Sequence, residues 1–281
     1  MNTAKTVRLS RRAVLLGGLG LGAGVAAGCK TTAAPGGGPE NLLQSKAPTS
    51  QVQPVTTELY LSTGRYREVE AVIIRPAGVP VKPIPVCVAL HGGIGGAKSF
   101  LDLGVPDILT GLVRDGVPPF AVVAVEGGNW VGGRNDDPQR MLNEDLPEWL
   151  DHHQLATTPF STVGIGAGGT GALNLARTPG FTAVAVISPI LFDSWADAAA
   201  AKMFTDRAHW ERLDPLRHIN EFAYLPVGVW CGTEDRAYLG NAKTLAQRVK
   251  AARTSFERGG HNDQYFRRAL PDALQFVGGY L

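Results

Sequence analysis

The sequence predicts an α/β fold with a mostly parallel central sheet and helices on both of its faces. Three observations predict it. Short apolar, β-branched runs alternate with helical patterns along most of the chain, as in domains assembled from strand, helix, strand units. A length of 281 residues, 44% apolar and 19% charged, suits one large globular domain and lacks the polar bias of disorder. Glycine-rich turns follow several of the apolar runs, at the strand ends where ligands sit in such sheets.

In chain order, the first segment is a targeting signal rather than part of the fold. Residues 1–28 carry Lys5, Arg8, Arg11 and Arg12 and no acid, with Ser10-Arg11-Arg12 ahead of a glycine-rich apolar run from Ala13 to Ala27. This is the pattern of a twin-arginine export signal. As a helix the run rises only about 22 Å, short of a hydrocarbon core of roughly 30 Å, which argues against a permanent span. It ends in Val25-Ala26-Ala27-Gly28-Cys29, which resembles the box where bacterial lipoproteins are cleaved and acylated, so Cys29 is the expected lipidation site. Cleavage after Ala27, releasing a secreted protein, is the alternative. Residues 29–54 are rich in Thr, Ala, Pro, Gly and Ser and read as a flexible tether that lets a domain at 55–281 stand clear of a membrane surface. The signal also hides the charge of the body: without its four cations, 23 basic residues face 25 acidic ones. A near-neutral body with no basic run excludes nucleic acid as an expected partner.

Within the domain, strands are expected at VEAVIIR from Val69, IPVCVAL from Ile84, PFAVVAVEG from Pro119, STVGIG from Ser161, TAVAVIS from Thr182, LPVGVWC from Leu225 and RTSFE from Arg253. Helices are expected near Asp107 to Arg114, Arg140 to Asp151, Gly168 to Arg177, Gly240 to Ala252 and Asn262 to Val277. Cys87 and Cys231 each fall inside an apolar run and read as free structural thiols, a disulfide being the alternative in an oxidising compartment. No metal or other cofactor is expected.

Chemistry should then lie just after the apolar runs. After Leu90 comes His91-Gly92-Gly93-Ile94-Gly95-Gly96, and after Val163 comes Gly164-Ile165-Gly166-Ala167-Gly168. After Trp230 comes Cys231-Gly232-Thr233-Glu234-Asp235, and before the last helix comes Gly259-Gly260-His261. The second has the layout of a nucleophile elbow, a tight strand-to-helix turn with a serine at its centre, except that the centre is Gly166. The order of elbow, acid and histidine is that of an α/β-hydrolase triad.

LHGG, VEGGNW with NDDPQRML, GIGAGGTGAL, an SP pair after a strand, CGTEDRAY and GGHNDQYFRRALPDALQF occur in this order. On these stretches the body resembles the putative-esterase branch of the α/β-hydrolases, which also contains the mycolyltransferases. The resemblance implies an α/β-hydrolase fold with a short cap insertion, a base at His261, an orienting carboxylate at Asp235 with Glu234 as runner-up, and oxyanion donors in the backbone N–H groups of Gly93 and Ala167. A carboxylate that fixes the imidazole tautomer lets it take a hydroxyl proton, and the backbone donors act on charge that appears only in the transition state. His261 and Asp235 also admit a plainer reading, as residues capping a helix.

Gly166 removes the only atom of the elbow able to form an acyl intermediate, and it relieves the strain of a non-glycine residue at that turn. Thr170, on the helix after the elbow, Ser161, at the start of its strand, and Ser188, at the end of the neighbouring one, are the hydroxyls that could substitute. The segment from Leu191 to Arg217, with Trp195, Phe204 and Trp210, falls where the cap is expected; its aromatics either line an acyl or sugar site or pack the helices. The turn from Glu126 to Trp130 either lines a pocket floor or forms a loop at the sheet rim. Two functions follow. One is an exported, envelope-facing pseudo-esterase that binds an acyl ester, glycolipid or polysaccharide without cleaving it. The other is an active carboxylic-ester hydrolase or acyltransferase with a non-standard nucleophile. A phosphate-binding module is disfavoured because no Gly-Lys-Ser/Thr accompanies the glycine-rich loops.

Overall fold

The computed structural model describes residues 54–93, 95–158 and 160–281. The signal segment 1–28, Cys29 and the tether up to residue 53 lie outside the described residues. The sheet has eight strands: β1 (Val55–Ser62), β2 (Arg67–Ile74), β3 (Val86–Leu90), β4 (Ala121–Val125), β5 (Phe160–Ile165), β6 (Phe181–Ile187), β7 (Val227–Trp230) and β8 (Arg253–Ser255). Their spatial order is β1-β2-β4-β3-β5-β6-β7-β8. β1 pairs with β2, and β2 with β4, antiparallel; every other neighbour is parallel. With helices on both faces, this is the α/β-hydrolase fold.

The helices follow the strands as α1 (Ser99–Asp102), α2 (Val105–Arg114), α3 (Pro138–Arg140), α4 (Leu146–His152), α5 (Ala167–Leu175), α6 (Trp195–Ala200), α7 (Arg207–Leu213), α8 (Leu239–Arg248) and α9 (Asp263–Gly278). Successive strand residues point to opposite sheet faces, and here both faces are covered. Val86, Val88 and Leu90 of β3 pack with Trp149 of α4, Leu173 of α5 and Leu245 of α8. Cys87 and Ala89 pack on the other face with Leu109 of α2 and Leu270 and Leu274 of α9. Cys87 and Cys231 are free and buried, and burial pushes each thiol up to about 12, which leaves them inert packing groups.

Three features differ from the sequence expectation. β1 was not expected: Thr57, Glu58, Leu59 and Leu61 are exposed on this edge strand, so it has no continuous apolar face to read. The single helix expected over Arg140 to Asp151 is α3, then one π-helical turn over Met141–Asp145, then α4. Pro147 has no N–H to give to a continuing ladder, and it stands instead in the first turn of α4, where none is needed. β8 ends at Ser255, two residues before the expected stop, and pairs only along its short contact with β7.

The register aligns the strand ends. Leu90 of β3 lies opposite Gly164 of β5, Ile165 of β5 opposite Ile187 of β6, and Ile187 opposite Trp230 of β7. The loops after these strands therefore emerge together at one edge of the sheet. Beside that edge, α6 and α7 form a small separate core in which Ala198, Phe204 and Trp210 pack with Val131 and Phe192. The Arg217 guanidinium stacks 3.7 Å above the Trp210 ring. The aromatics of the cap segment thus pack its helices.

Candidate active site

The elbow between β5 and α5 is built by glycines for different reasons. A Cβ on Gly164 would lie 2.1 Å from the Gly168 carbonyl oxygen, and one on Gly168 would lie 1.9 Å from that of Leu90. Backbone contact forbids side chains at both positions. At Gly166 a Cβ would be a tight fit but not a forbidden one, with His261 Nε2 at 3.3 Å and Gly92 Cα at 3.4 Å as its nearest neighbours. Its constraint is torsional: φ 57° and ψ −120°, a region that a side chain enters only under strain. The conformation is pinned by the Gly166 N–H donating to Ile187 O and by the Ile190 and Gly169 N–H groups donating to Gly166 O, each at 3.0 Å.

Opposite this corner, His261 Nδ1 donates to Asp235 Oδ2 at 2.8 Å. Asp235 is buried and His261 is about one-third exposed. The ring is held edge-on by Phe266 and tilted against Tyr238, with centroids at 5.1 Å and 4.9 Å. Burial, and then the charge of Asp235, raise the Tyr238 hydroxyl above its ordinary range. Asp235 rather than Glu234 is the partner; Glu234 turns outward to a salt bridge with Arg258. With its Nδ1–H engaged, the imidazole presents Nε2 towards Gly166 and can exchange a proton there.

The loop after β3 supplies the facing wall. His91 is buried; its Nδ1 donates to Gly93 O at 3.2 Å, and its Nε2 lies 3.2 Å from the Gly127 nitrogen and 3.3 Å from Glu126 Oε1. The His91 carbonyl accepts from Trp130 Nε1 at 2.7 Å. Trp130 is fully buried at φ 64°, and its ring occupies the space that a Cβ on Gly127 would need. The Glu126 to Trp130 turn therefore braces the Gly92-Gly93 loop from behind and does not line the cavity. Glu126 sits below the ordinary carboxylate range, chiefly through its contact with His91.

A cavity of about 160 Å³ opens between these elements, lined by Gly92, Gly93, Ser99, Leu103, Ile165, His261, Asp263 and Phe266. Four of these, Ser99, Leu103, Asp263 and Phe266, were missed in the sequence. Asp263 and Phe266 follow His261 closely enough for helical spacing to have suggested them; Ser99 and Leu103 depend on how the loop after β3 folds back. Of the candidate substitute hydroxyls, Thr170 donates to Ile190 O, Ser188 is buried against Cys231 Sγ at 3.7 Å, and Ser161 is buried within β5. None of the three lines the cavity. Among the described residues no cluster of His, Cys, Asp and Glu has the composition of a metal site.

The chain matches the family described as putative esterase over residues 63–277, nearly the whole domain. It belongs to that family. Solved structures with the same fold include a ferulic acid esterase, with 19% identity, a TM-score of 0.69 and coverage of 81% of this chain and 98% of that one. An S-formylglutathione hydrolase from Agrobacterium tumefaciens is similar at 17% identity and TM-score 0.66, covering 80% and 94%. MPT51 (FbpC1) of Mycobacterium tuberculosis is similar at 19% identity and TM-score 0.63, covering 82% and 99%. No curated protein matches the chain in sequence. At these identities the esterase-family neighbours speak to the fold, and the chemistry of this chain rests on its own residues.

Proposed function

We propose that this protein is an exported, membrane-anchored pseudo-esterase that holds an acyl ester, glycolipid or polysaccharide of the cell envelope without cleaving it. The observation that carries the reading is Gly166. It occupies the strained centre of a strand-to-helix elbow, 3.3 Å from His261 Nε2 when measured from where its Cβ would be, and has no atom to attack an ester. In this reading His261 and Asp235 are the retained base and orienter, and the Gly93 and Ala167 amides are the retained oxyanion donors. The ester-cleaving names of the neighbours support an acyl or aryl ester as the ligand class. The twin-arginine segment and Cys29 support a membrane anchor on the outer side.

One observation favours the second reading, an active ester hydrolase or acyltransferase. Ser99 lines the cavity, and its hydroxyl donates to Gly96 O at 2.7 Å. The deciding experiment is turnover of short p-nitrophenyl esters and labelling by a fluorophosphonate in wild type, Gly166→Ser and Ser99→Ala. Wild type should neither turn over nor label, and Gly166→Ser should gain labelling at the introduced serine. Wild-type turnover abolished by Ser99→Ala and indifferent to Gly166→Ser would establish the second reading instead.

A further inference from the structure

We propose that the corner left open at Gly166 is a receptor for a free carboxylate on a small aryl or short-chain acyl body. One carboxylate oxygen is held by the Gly93 and Ala167 amides, and the other by His261 Nε2. The inference rests on Gly166 being a position without a nucleophile and goes beyond that reading in its ligand, which is held by an acid group rather than by an ester.

The first support is the set of donors. Among the described residues, neither the Gly93 nor the Ala167 N–H donates to a protein acceptor, and His261 makes its side-chain hydrogen bond through Nδ1 alone. Ala167 is also the first residue of α5, whose free amides and dipole favour negative charge. Gly93 lines the cavity, Ala167 follows the elbow centre, and His261 Nε2 lies 3.3 Å from where a Gly166 Cβ would be, so two free amides and a ring nitrogen that carries a proton in the imidazolium adjoin this corner.

The second support is the space. In an acyl adduct the nucleophile oxygen and the oxyanion are bonded to one carbon. A carboxylate likewise carries two oxygens on one carbon, so it can take both places at once, but only if no side chain stands at the elbow. A Cβ at Gly166 would come within 3.3 Å of His261 Nε2 and 3.4 Å of Gly92 Cα, and a serine hydroxyl would fill the remaining gap. Glycine leaves that gap to the ligand. An ester presents no charge to these donors, whereas a carboxylate gains charge-assisted hydrogen bonds, roughly twice as strong as neutral ones.

The third support is the adjoining cavity. Leu103, Ile165 and Phe266 give it apolar walls, and its volume of about 160 Å³ matches the body of such an acid; an apolar cavity of about 150 Å³ accepts benzene. Binding requires the proton on His261 Nε2. The titratable groups facing that ring are Asp235 and Tyr238 from the loop after β7 and Asp263 from the first turn of α9, while the β3 loop and the elbow face it with backbone alone. With Nδ1 donating to Asp235, Nε2 can donate to a bound anion only while the ring is the cation. Asp263 also opposes the anion directly, so the charge balance depends on His261 being protonated. Affinity therefore falls as pH rises through the histidine range, and binding takes up a proton.

The test is calorimetric titration of the full-length protein with benzoate and hexanoate, against benzamide and hexanamide as neutral counterparts, from about pH 6 to about pH 8. The acids should bind at least about tenfold more tightly than the amides at the lower pH and lose about tenfold towards the higher, with proton uptake visible as a dependence on buffer ionisation heat. Gly166→Ala and Gly166→Ser, checked for an unchanged circular dichroism spectrum, should each weaken the acids by about tenfold, and His261→Gln should abolish the pH dependence. Acids and amides binding alike, no binding of either acid to wild type, or full affinity retained in Gly166→Ser would overturn the proposal. Ester turnover by wild type sinks the non-cleaving reading whatever the titrations give. A protein that neither cleaves esters nor binds the acids leaves that reading standing and removes this one.

Discussion

At the scale of single residues, the three elbow glycines separate two physical constraints that look identical in sequence. Gly164 and Gly168 are excluded from carrying side chains by backbone oxygens within 2.1 Å and 1.9 Å of the would-be Cβ, and a backbone cannot step aside as a side chain can. Gly166 is limited by torsion, a cost of about 1–3 kcal/mol for a residue with a Cβ. Gly164→Ala should therefore be the more damaging substitution, lowering stability by about 3 kcal/mol or more and the melting temperature by about 6 °C or more. Gly166→Ala should fold with the smaller loss. Thermal unfolding of the two variants side by side checks the order; a Gly166→Ala protein less stable than Gly164→Ala would mean that the elbow is not packed as described.

At the scale of elements, the β1 to β2 turn is anchored to the helical layer by one carboxylate. Asp145, buried at the junction of the π-helical turn and α4, accepts from the hydroxyls of Ser62 and Thr63 and from the amides of Thr63 and Gly64. Burial works to raise its pKa, but these hydrogen bonds outweigh it and hold the carboxyl below the ordinary aspartate range. A depressed folded pKa contributes stability that is present above the unfolded value of about 3.9 and lost as pH falls through the folded value. Asp145→Asn replaces one of the two acceptor oxygens by a donor that faces other donors, and should cost about 1.5–3 kcal/mol at neutral pH. Urea unfolding at neutral pH and below about pH 4 checks this, because the gap between wild type and variant should narrow on the acid side. The same strand pair shows why an edge needs such an anchor, since β1 buries little of its own apolar surface.

At the scale of the whole molecule, the domain and its delivery are separate problems. The esterase-family match begins at residue 63, well beyond the segment that carries Arg11, Arg12 and Cys29. If that segment exports and anchors the chain, the mature N-terminus is an acylated Cys29. A single acyl chain binds membranes only marginally, so stable anchoring takes more than one chain. Mass spectrometry of the mature protein from its native membrane should find a diacylglycerol-modified Cys29, and alanine at that position should release the domain from the membrane fraction. An unmodified terminus at Gly28 would show cleavage after Ala27 and a secreted protein.

The apolar runs of β2 to β7 and the amphipathic α9 were readable in the chain because burial on a sheet face or a helix stripe imposes a local period on the residues that carry it. β1 escaped because an edge strand with Leu59 and Leu61 exposed carries no such period. The π-helical turn before α4 escaped because Pro147 and the demands of Asp145 override helix preference. At the site, the strand-end motifs marked the elbow centred on Gly166, while the roles of Gly93, Ala167, Asp235 and His261 were implied by the resemblance to the esterase family rather than by composition or spacing. That His261 bonds Asp235 and not Glu234, that Ser99, Leu103 and Phe266 close a cavity beside them, and that His91 and Trp130 brace the facing loop are matters of register and packing. The strand order β2-β4-β3-β5-β6-β7 interleaves segments far apart in the chain, and only that pairing brings the loop after β3 against the elbow after β5 and the last histidine against both. Periodicity is a local property of the chain; convergence is set by which strands hydrogen-bond to which, and by backbones that approach too closely for any residue but glycine.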